Sequence, residues 1–166
     1  MIWPPYPLQR GDKVIKIFTD GACSGNPGKG AFSYVILIND IEIKNYCNGF
    51  IKTTNNRMEL MAIIESIKFI KNLENINKET NIIIYSDSKY VVDSINKRWL
   101  NNWILKDFKN VKNVDLWKEY LAVNNNLNID FIWVEGHSNI KYNEICDKLA
   151  TNFIKKGKLL IDKGYN

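Results

Sequence analysis

The sequence has no long run of apolar residues, only three cysteines and a single histidine. Nowhere do about 18 apolar residues follow one another, which is the length that a membrane-spanning helix requires. The first residues also lack the apolar core of a secretion signal. We therefore expect neither membrane insertion nor export, and we predict a cytoplasmic protein.

The cysteines are too few and too scattered to define a structural site. Cys23, Cys47 and Cys146 are odd in number and far apart, so they fit neither a disulfide framework nor a zinc site. We interpret them as reduced thiols. We find no arrangement of serine, histidine and aspartate, or of cysteine and histidine, that would indicate a covalent enzyme intermediate.

Length and net charge give only weak indications of the number of domains and the kind of binding partner. A chain of 166 residues fits one domain that buries about two thirds of its unfolded surface. The formal charge of +5 suits an anionic partner such as nucleic acid, although many basic proteins have no such partner.

Prolines mark the predicted domain organisation. Three of the four prolines fall within the first seven residues, which predicts an extended arm over residues 1–13 that tolerates change. We predict a single domain over residues 14–156 and a C-terminal tail over residues 157–166.

The first part of the domain has the pattern of a three-stranded meander. β-Branched and apolar residues predict strands over 14–18, 31–38 and 41–50. The Gly-rich stretch 21–30 predicts a loop after the first strand, and Asn39-Asp40 predicts a hairpin turn.

From Met58 the apolar residues recur at helical spacing. This pattern predicts a helix of about four turns, with Asn55 and Asn56 available as N-caps. The remaining predicted elements are a buried strand over 81–85, helices over 89–95, 99–105 and 114–123, a strand over 129–134, and a last helix with Cys146, Leu149, Ala150 and Phe153 on its inner face. Right-handed crossovers then predict an α/β fold with one five-stranded mixed sheet flanked by helices on both faces.

Four acidic residues stand where they could converge. Asp20 and Asp87 follow predicted strands, and Glu59 and Asp147 lie near the beginnings of helices. Clustered carboxylates repel one another and so imply bound cations, and oxygen ligands favour Mg²⁺ or Mn²⁺. Each acid also has an ordinary interpretation: Glu59 completes a capping box with Asn56, Asp20 and Asp87 suit turns or caps, and Asp147 suits a solvated helix position.

The surroundings of these acids are more specific than the acids themselves. The relevant segments are 18–28, 53–62, 86–91 and 133–138, followed by Asn143-Glu144 and Cys146-Asp147. In order and spacing they resemble the motifs of ribonuclease H of the bacterial type 1 group, over about 14–153 of this chain. The resemblance implies the ribonuclease H-like fold and an endonuclease that hydrolyses the RNA strand of RNA–DNA hybrids, leaving 5′-phosphate and 3′-hydroxyl ends.

The resemblance also implies the catalytic groups. Asp20, Glu59, Asp87 and Asp147 would bind two Mg²⁺ ions during catalysis, with Mn²⁺ as a substitute, and His137 would assist proton transfer or product departure. A lone histidine is usually structural, but Gly136 and Ser138 indicate a polar loop here. We expect the enzyme to be a monomer that binds the hybrid and no membrane.

Substrate-binding residues follow from the same resemblance. Those expected to contact the hybrid beside the acids are Cys23, Asn26, Asn55, Asn56 and Lys89. Those expected to bind a phosphate of the DNA strand are Lys52, Thr54 and Asn113. Lys89 replaces a glutamine common in bacterial relatives, and Lys52 replaces a frequent arginine, which keeps the charge but loses the forked donor geometry. Without the resemblance, the asparagines would merely cap a helix and the glycines would merely turn the chain.

The segment 97–117 alternates cations with aromatic residues and resembles the basic protrusion of the family. The alternative is an amphipathic helix pair whose tryptophans pack inward. The loop before Asn113 is shorter and less cationic than in typical bacterial members, so we expect this segment to contribute less affinity for the substrate.

Two other functions are compatible with these patterns. The same fold occurs in retroviral integrases, transposases and Holliday-junction resolvases, so the fold alone does not define the substrate. A non-catalytic hybrid-binding module is a further alternative, although the presence of all four acids favours an enzyme.

Overall fold

The computed structural model describes residues 13–165, so the arm predicted over 1–13 lies outside the described residues except for Lys13. A five-stranded sheet with the order β3-β2-β1-β4-β5 forms the centre of the fold. β2 is antiparallel to β1 and β3, whereas β4 is parallel to β1 and β5. The elements are β1 (Val14–Ser24), β2 (Gly28–Ile38), β3 (Ile41–Thr53), α1 (Asn55–Lys71), β4 (Asn81–Ser86), α2 (Lys89–Asn96), α3 (Trp99–Leu105), α4 (Val114–Val123), β5 (Ile129–Trp133) and α5 (Lys141–Lys156). The predicted α/β fold with a mixed sheet is confirmed.

The β2–β3 hairpin has the predicted turn. Asn39 and Asp40 both adopt positive φ, at 50° and 65°, as a two-residue type I′ turn requires. Asn39 also accepts a hydrogen bond from the Val14 backbone N–H through its side chain, at 3.0 Å, which ties the turn to the start of β1.

The predicted Gly-rich loop over 21–30 is wrong, because most of it is strand. β1 continues to Ser24 and β2 already begins at Gly28. The glycines serve close packing here: a Cβ built on Gly21 would lie 2.3 Å from the backbone nitrogen of Glu59. The strand therefore runs on beneath the start of α1, where no side chain would fit.

The predicted caps of α1 are also wrong. Thr54 is the N-cap, with an extended backbone and a hydroxyl that accepts from the Arg57 N–H at 3.4 Å, whereas Asn55 and Asn56 lie in the first turn. Glu59 is the fifth residue of the helix, so the capping-box interpretation of this residue does not hold.

The core has two parts, one on each face of the sheet. On one face, side chains of β1, β2 and β4 pack with residues of α1 to α4. On the other face, Phe18, Val35 and Leu37 pack with Cys146 of α5. The predicted helices on both faces are thereby confirmed.

Some aromatic residues of 97–117 pack into the core, and others are exposed to solvent. Trp117 is fully buried, and the Trp103 ring packs against it with centroids 5.4 Å apart. Trp99 is 41 % exposed and Leu105 is 85 % exposed. The inward-packing interpretation therefore holds for two tryptophans and not for Trp99.

The chain after α5 returns to the outer edge of the sheet. The Leu160 N–H donates to the Gly49 carbonyl at 2.9 Å, and the Ile51 N–H donates to the Leu160 carbonyl at 2.8 Å. This segment, residues 158–165, is called the C-terminal strap below. The predicted domain boundaries themselves stay a prediction. None of the helices within 13–165 combines the length and apolar character needed to cross a membrane.

Candidate active site

The candidate site lies where the two central parallel strands separate. The pairing of β1 with β4 ends at Thr19 and Ser86, and Asp20 and Asp87 are the next residues along the two strands. In α/β sheets, ligands bind beyond the carboxyl ends of parallel strands. The sheet therefore brings two carboxylates to the position at which this fold class binds its ligands.

The two helices that flank this point add further acids. Carboxylate oxygens of Asp20, Glu59 and Asp87 all lie within 4.8 Å of one another. Asp147 of α5 lines the same pocket. The full lining is Asp20, Gly21, Ala22, Cys23, Asn55, Glu59, Asp87, His137, Asn143, Glu144 and Asp147. All four predicted acids and His137 therefore face one cavity.

Local packing explains why the acids come together. The lack of a side chain at Gly21 lets β1 touch the backbone of α1, which brings Asp20 next to Glu59. A Cβ on Gly136 would lie 3.0 Å from the Asp87 carboxylate, so the loop carrying His137 closes directly over that acid. The Trp133 indole N–H donates to the Asp87 carbonyl at 3.0 Å and fixes the start of this loop.

The cluster is electrostatically unfavourable without a cation. Burial, reinforced by the charge of Asp87, raises the pKa of Asp20 to about 8. Burial likewise raises the pKa of Glu59 to about 7, against a hydrogen bond from the Asn55 amide at 3.0 Å. The pKa of Asp87 is raised by burial and by Asp147, although nearby His137 lowers it.

Two buried oxygens without hydrogen-bond partners in the described part of the chain also indicate that a cation would stabilise this site. Asp87 Oδ1 and Asn143 Oδ1 are buried, and neither has a hydrogen-bond partner within 13–165. A buried acceptor without a partner is costly, and a divalent cation would satisfy several such oxygens at once. The donor set consists of hard oxygen ligands, which fit Mg²⁺ or Mn²⁺.

The residues predicted to contact the hybrid lie around this cavity. Cys23 and Asn55 line it, and the Asn26 side chain accepts from the Asn55 N–H at 3.2 Å. Lys89 is exposed, and its Nζ lies 4.7 Å from the centroid of the Trp133 ring. Asn56 is exposed in the first turn of α1. Their roles in substrate binding stay predictions.

The three residues predicted to bind a DNA phosphate lie outside the cavity lining. Thr54 and Asn113 are the N-caps of α1 and α4, and Asn113 has a left-handed backbone with φ of 58°. The Asn113 amide donates to the Tyr90 hydroxyl at 3.2 Å. Lys52 is exposed, with its Nζ 5.8 Å from the centroid of the Tyr165 ring.

Sequence reasoning missed a second group of charged residues, centred on a buried arginine, beside these residues. Arg57 is 2 % exposed and contacts Asp115 and Asp162, which lie 58 and 105 residues away in the chain. One signal was available: Arg57 precedes Leu60 by three residues, and so belongs to the apolar stripe of α1. A cation in such a stripe requires a buried carboxylate partner.

Comparison with known proteins agrees with these observations. The family model described as RNase H matches residues 12–155. A ribonuclease H of Caldanaerobacter subterraneus subsp. tengcongensis is 43 % identical over 155 residues, which cover 90 % of this chain and 96 % of the relative. A ribonuclease H of Campylobacter jejuni is 45 % identical over 138 residues, covering 83 % and 89 %.

Solved structures resemble the fold at lower sequence identity. LC9-RNase H1, described as a type 1 RNase H with the type 2 active-site motif, superposes with a TM-score of 0.76 at 23 % identity, covering 95 % of this chain and 81 % of that one. LC11-RNase H1 in complex with an RNA/DNA hybrid gives 0.64 at 19 % identity, covering 85 % and 96 %. At these identities the likeness concerns the fold.

Proposed function

Because the chain belongs to the ribonuclease H family, we propose that it hydrolyses the RNA strand of RNA–DNA hybrids. The products would carry 5′-phosphate and 3′-hydroxyl ends. The observation that carries the proposal is the convergence of Asp20, Glu59 and Asp87 within 4.8 Å in a cavity that Asp147 also lines. A structural neighbour, LC11-RNase H1, has been seen bound to an RNA/DNA hybrid.

The four acids are proposed to hold two Mg²⁺ ions, with Mn²⁺ as a substitute. The unpartnered Asp87 Oδ1 and the raised pKa values of Asp20, Glu59 and Asp87 support this, because added positive charge would relieve both. When bound, two such cations would activate a water molecule and stabilise the departing 3′ oxygen. Asn55 keeps one Glu59 oxygen in place through its amide.

His137 is proposed to move a proton at the same site. It is exposed on the loop after β5 and lines the cavity close to Asp87. An exposed imidazole beside a carboxylate is placed to pass a proton between the cavity and solvent. We therefore assign to it protonation of the departing oxygen or assistance in product departure.

Selection of the hybrid is proposed to depend on neutral polar groups at the rim of the cavity. Cys23, Asn26, Asn55 and Asn56 would contact the backbone and the 2′-hydroxyl groups that distinguish RNA from DNA. Lys89, which lies against the exposed face of Trp133, would contact a phosphate rather than a base edge.

A separate pocket is proposed for the DNA strand. Lys52, Thr54 and Asn113 would bind one of its phosphates, and two of them are N-caps of helices whose N-terminal ends favour anions. Lysine offers a point charge rather than a fork, so we expect this contact to be more tolerant of geometry than an arginine contact.

A cleavage assay tests the proposal. The protein is incubated with labelled RNA–DNA hybrid, duplex DNA and duplex RNA in the presence of Mg²⁺, and again with excess chelator. We expect cutting of the RNA strand of the hybrid only, and none with chelator. Asp130→Asn, which changes an exposed acid on β5, serves as the matched control and should cut normally.

The rival functions are outcomes of the same assay. Cutting of duplex DNA alone would indicate a nuclease of the integrase or resolvase kind, and binding of the hybrid without cutting would indicate a non-catalytic module. We also propose a monomeric protein that acts in the cytoplasm, which the three unpaired cysteines support. Sedimentation of the purified protein tests the monomer.

A further inference from the structure

The C-terminal strap carries a buried acid whose partners lie far away in sequence. Asp162 is 5 % exposed and accepts hydrogen bonds from Arg57 Nε at 2.7 Å and Arg57 Nη2 at 2.8 Å. It also accepts from the Thr53 hydroxyl at 2.7 Å. One carboxylate therefore joins the end of β3, the first turn of α1 and the strap.

Arg57 carries this connection on to α4. Its Nη1 and Nη2 donate to the two carboxylate oxygens of Asp115 at 2.8 Å and 2.7 Å. Two bidentate contacts hold the planar guanidinium in one orientation, which a single point contact would not do. The first turns of α1 and α4 are thus linked through one rigid group.

Arg57 itself is not placed to bind nucleic acid. Four of its N–H donors are directed at the two aspartates, and its side chain is 2 % exposed. One arginine and two aspartates also leave a net charge of −1, which would repel a phosphate. The group therefore cannot contribute affinity by attraction, and geometry is what it can supply.

The proposed phosphate pocket is built on the segments that this group connects. Lys52 and Thr54 flank Thr53, the residue that donates to Asp162. Asn113 precedes Asp115 by two residues and caps α4. Tyr165 of the strap lies against Lys52, and a Cβ on Gly164 would collide with Asp115 Oδ2 at 1.9 Å, so the strap packs directly onto this group.

We propose that the C-terminal strap positions the DNA-phosphate pocket: Asp162, acting through Arg57 and Asp115, sets the separation of the N-terminal ends of α1 and α4 and thereby the arrangement of Lys52, Thr54 and Asn113. Arg57, Asp115 and Asp162 are positioning residues and do not touch the substrate. The inference rests on the proposed function, since it assumes that a phosphate of the hybrid occupies this pocket.

The test is whether Asp162→Asn strengthens or weakens binding of the hybrid. Asp162→Asn removes a negative charge, so general electrostatics predicts tighter binding of the anionic hybrid. A positioning role predicts weaker binding of the hybrid. The amide of the new asparagine directs an N–H donor at Arg57 and so loosens the contacts among Arg57, Asp115 and residue 162. We expect KM for the hybrid to rise about tenfold, the loss typical of one charge-assisted contact, with kcat nearly unchanged.

A set of modified substrates identifies the contact that is lost. Each hybrid carries one uncharged methylphosphonate in its DNA strand, at a different position. In the unaltered protein, one position should raise KM, and this penalty should be absent in Asp162→Asn because the contact is already gone. Lys52→Ala should reproduce the same pattern and lower the dependence of binding on salt.

Two further variants keep the result interpretable. Asp130→Asn removes the same charge from the exposed side of β5 and should leave KM unchanged or slightly lower. Asp115→Asn changes the aspartate that is 43 % exposed; it serves if Asp162→Asn does not fold, and it should also raise KM and remove the methylphosphonate penalty.

The outcomes separate this inference from the function on which it rests. If the unaltered protein cuts hybrids but the folded Asp162 or Asp115 variants keep its KM and its methylphosphonate profile, the positioning role is refuted and the nuclease function stands. If the unaltered protein does not cut hybrids at all, the proposed function itself fails.

Discussion

Two groups of acidic side chains lie close to the beginning of α1, and they differ in how far their negative charge is balanced by a cation. Asp115 and Asp162 share the guanidinium of Arg57 and accept six hydrogen bonds at 2.7–3.3 Å, from Arg57, Thr53 and the Gly164 N–H. Asp20, Glu59 and Asp87 lie within 4.8 Å of one another, and no cationic side chain pairs with them among the described residues.

The pKa values follow this difference. Burial raises the pKa of Asp115, but the hydrogen bonds and charge of Arg57 outweigh burial and bring it below its usual range. Burial raises the pKa of Asp20 to about 8, and the neighbouring acids add to the shift. The group paired with Arg57 can therefore contribute to the fold by itself, whereas the unpaired acids would be stabilised by a cation from outside the chain.

The largest expected effect is on cleavage when the unpaired group loses one acid. Asp20→Asn keeps the shape of the side chain but removes a charge that we propose binds metal. Such a contact is worth several kcal/mol in the transition state, so we expect kcat to fall about a thousandfold or more. The measurement is hybrid cleavage with Mg²⁺, with circular dichroism as the control for folding. A variant with near-normal turnover would show that Asp20 is not needed for metal binding.

The next effect is on stability when the paired group loses its cation. Arg57→Ala leaves Asp162 buried without its partner, and breaking a buried pair in this way typically costs about 3–5 kcal/mol. Urea unfolding of the variant and the unaltered protein measures the difference. A loss of less than about 1 kcal/mol would mean that the group behaves as a surface pair.

A smaller change, this time a gain in the free energy of unfolding, is expected for Asp20→Asn when no divalent ions are present. In the folded protein the pKa of Asp20 is about 8, above the ordinary 3.8, so the folded state binds its proton more tightly than the unfolded state does. Stability from this group is therefore full below about pH 4 and is lost as the pH rises towards 8.

It follows that Asn, which cannot ionise, should stabilise the metal-free protein at neutral pH by an amount on the order of 1 kcal/mol. The gain should shrink as the pH is lowered towards the ordinary pKa of an aspartate. Chemical unfolding at several pH values in chelator measures it. Equal stability of both proteins at every pH would contradict the unfavourable cluster.

The smallest expected change in stability concerns an exposed ion pair that belongs to neither group of acids. Asp93 and Lys97 form an i,i+4 pair at 3.0 Å, with the lysine side chain 59 % exposed. Such pairs contribute about 0.3–0.5 kcal/mol, so Asp93→Asn should change the free energy of unfolding by no more than this. A loss as large as that of Arg57→Ala would show that burial is not what distinguishes the pairs.

Much of the fold could be predicted because it follows local patterns. The helices over 99–105 and 114–123 have the predicted bounds, and the Asn39-Asp40 turn has the predicted geometry. The strand character of 21–30 could not be predicted, because glycine normally breaks strands. At Gly21 the contact with α1, about 38 positions further along, decides the conformation.

The candidate site also has residues that could be predicted from local motifs and residues that could not. The acids and His137 were predicted from motifs, and the structure brings them to one cavity. The link between Arg57 and Asp162 joins residues 105 positions apart, and no short motif connects them. Nothing in the composition of residues 157–166 indicates that Asp162 is buried, so the position of the strap could not be predicted from the sequence.

The most direct test of the account is the effect of divalent ions on thermal unfolding. Mg²⁺ or Mn²⁺ is titrated into the unaltered protein, Asp20→Asn and Asp162→Asn, and the Tm is followed by calorimetry. Because a ligand that binds only the folded state stabilises it, we expect the Tm to rise with ion concentration in the unaltered protein and in Asp162→Asn, and to stay nearly constant in Asp20→Asn. An equal rise in all three proteins would contradict a metal site at the unpaired acids.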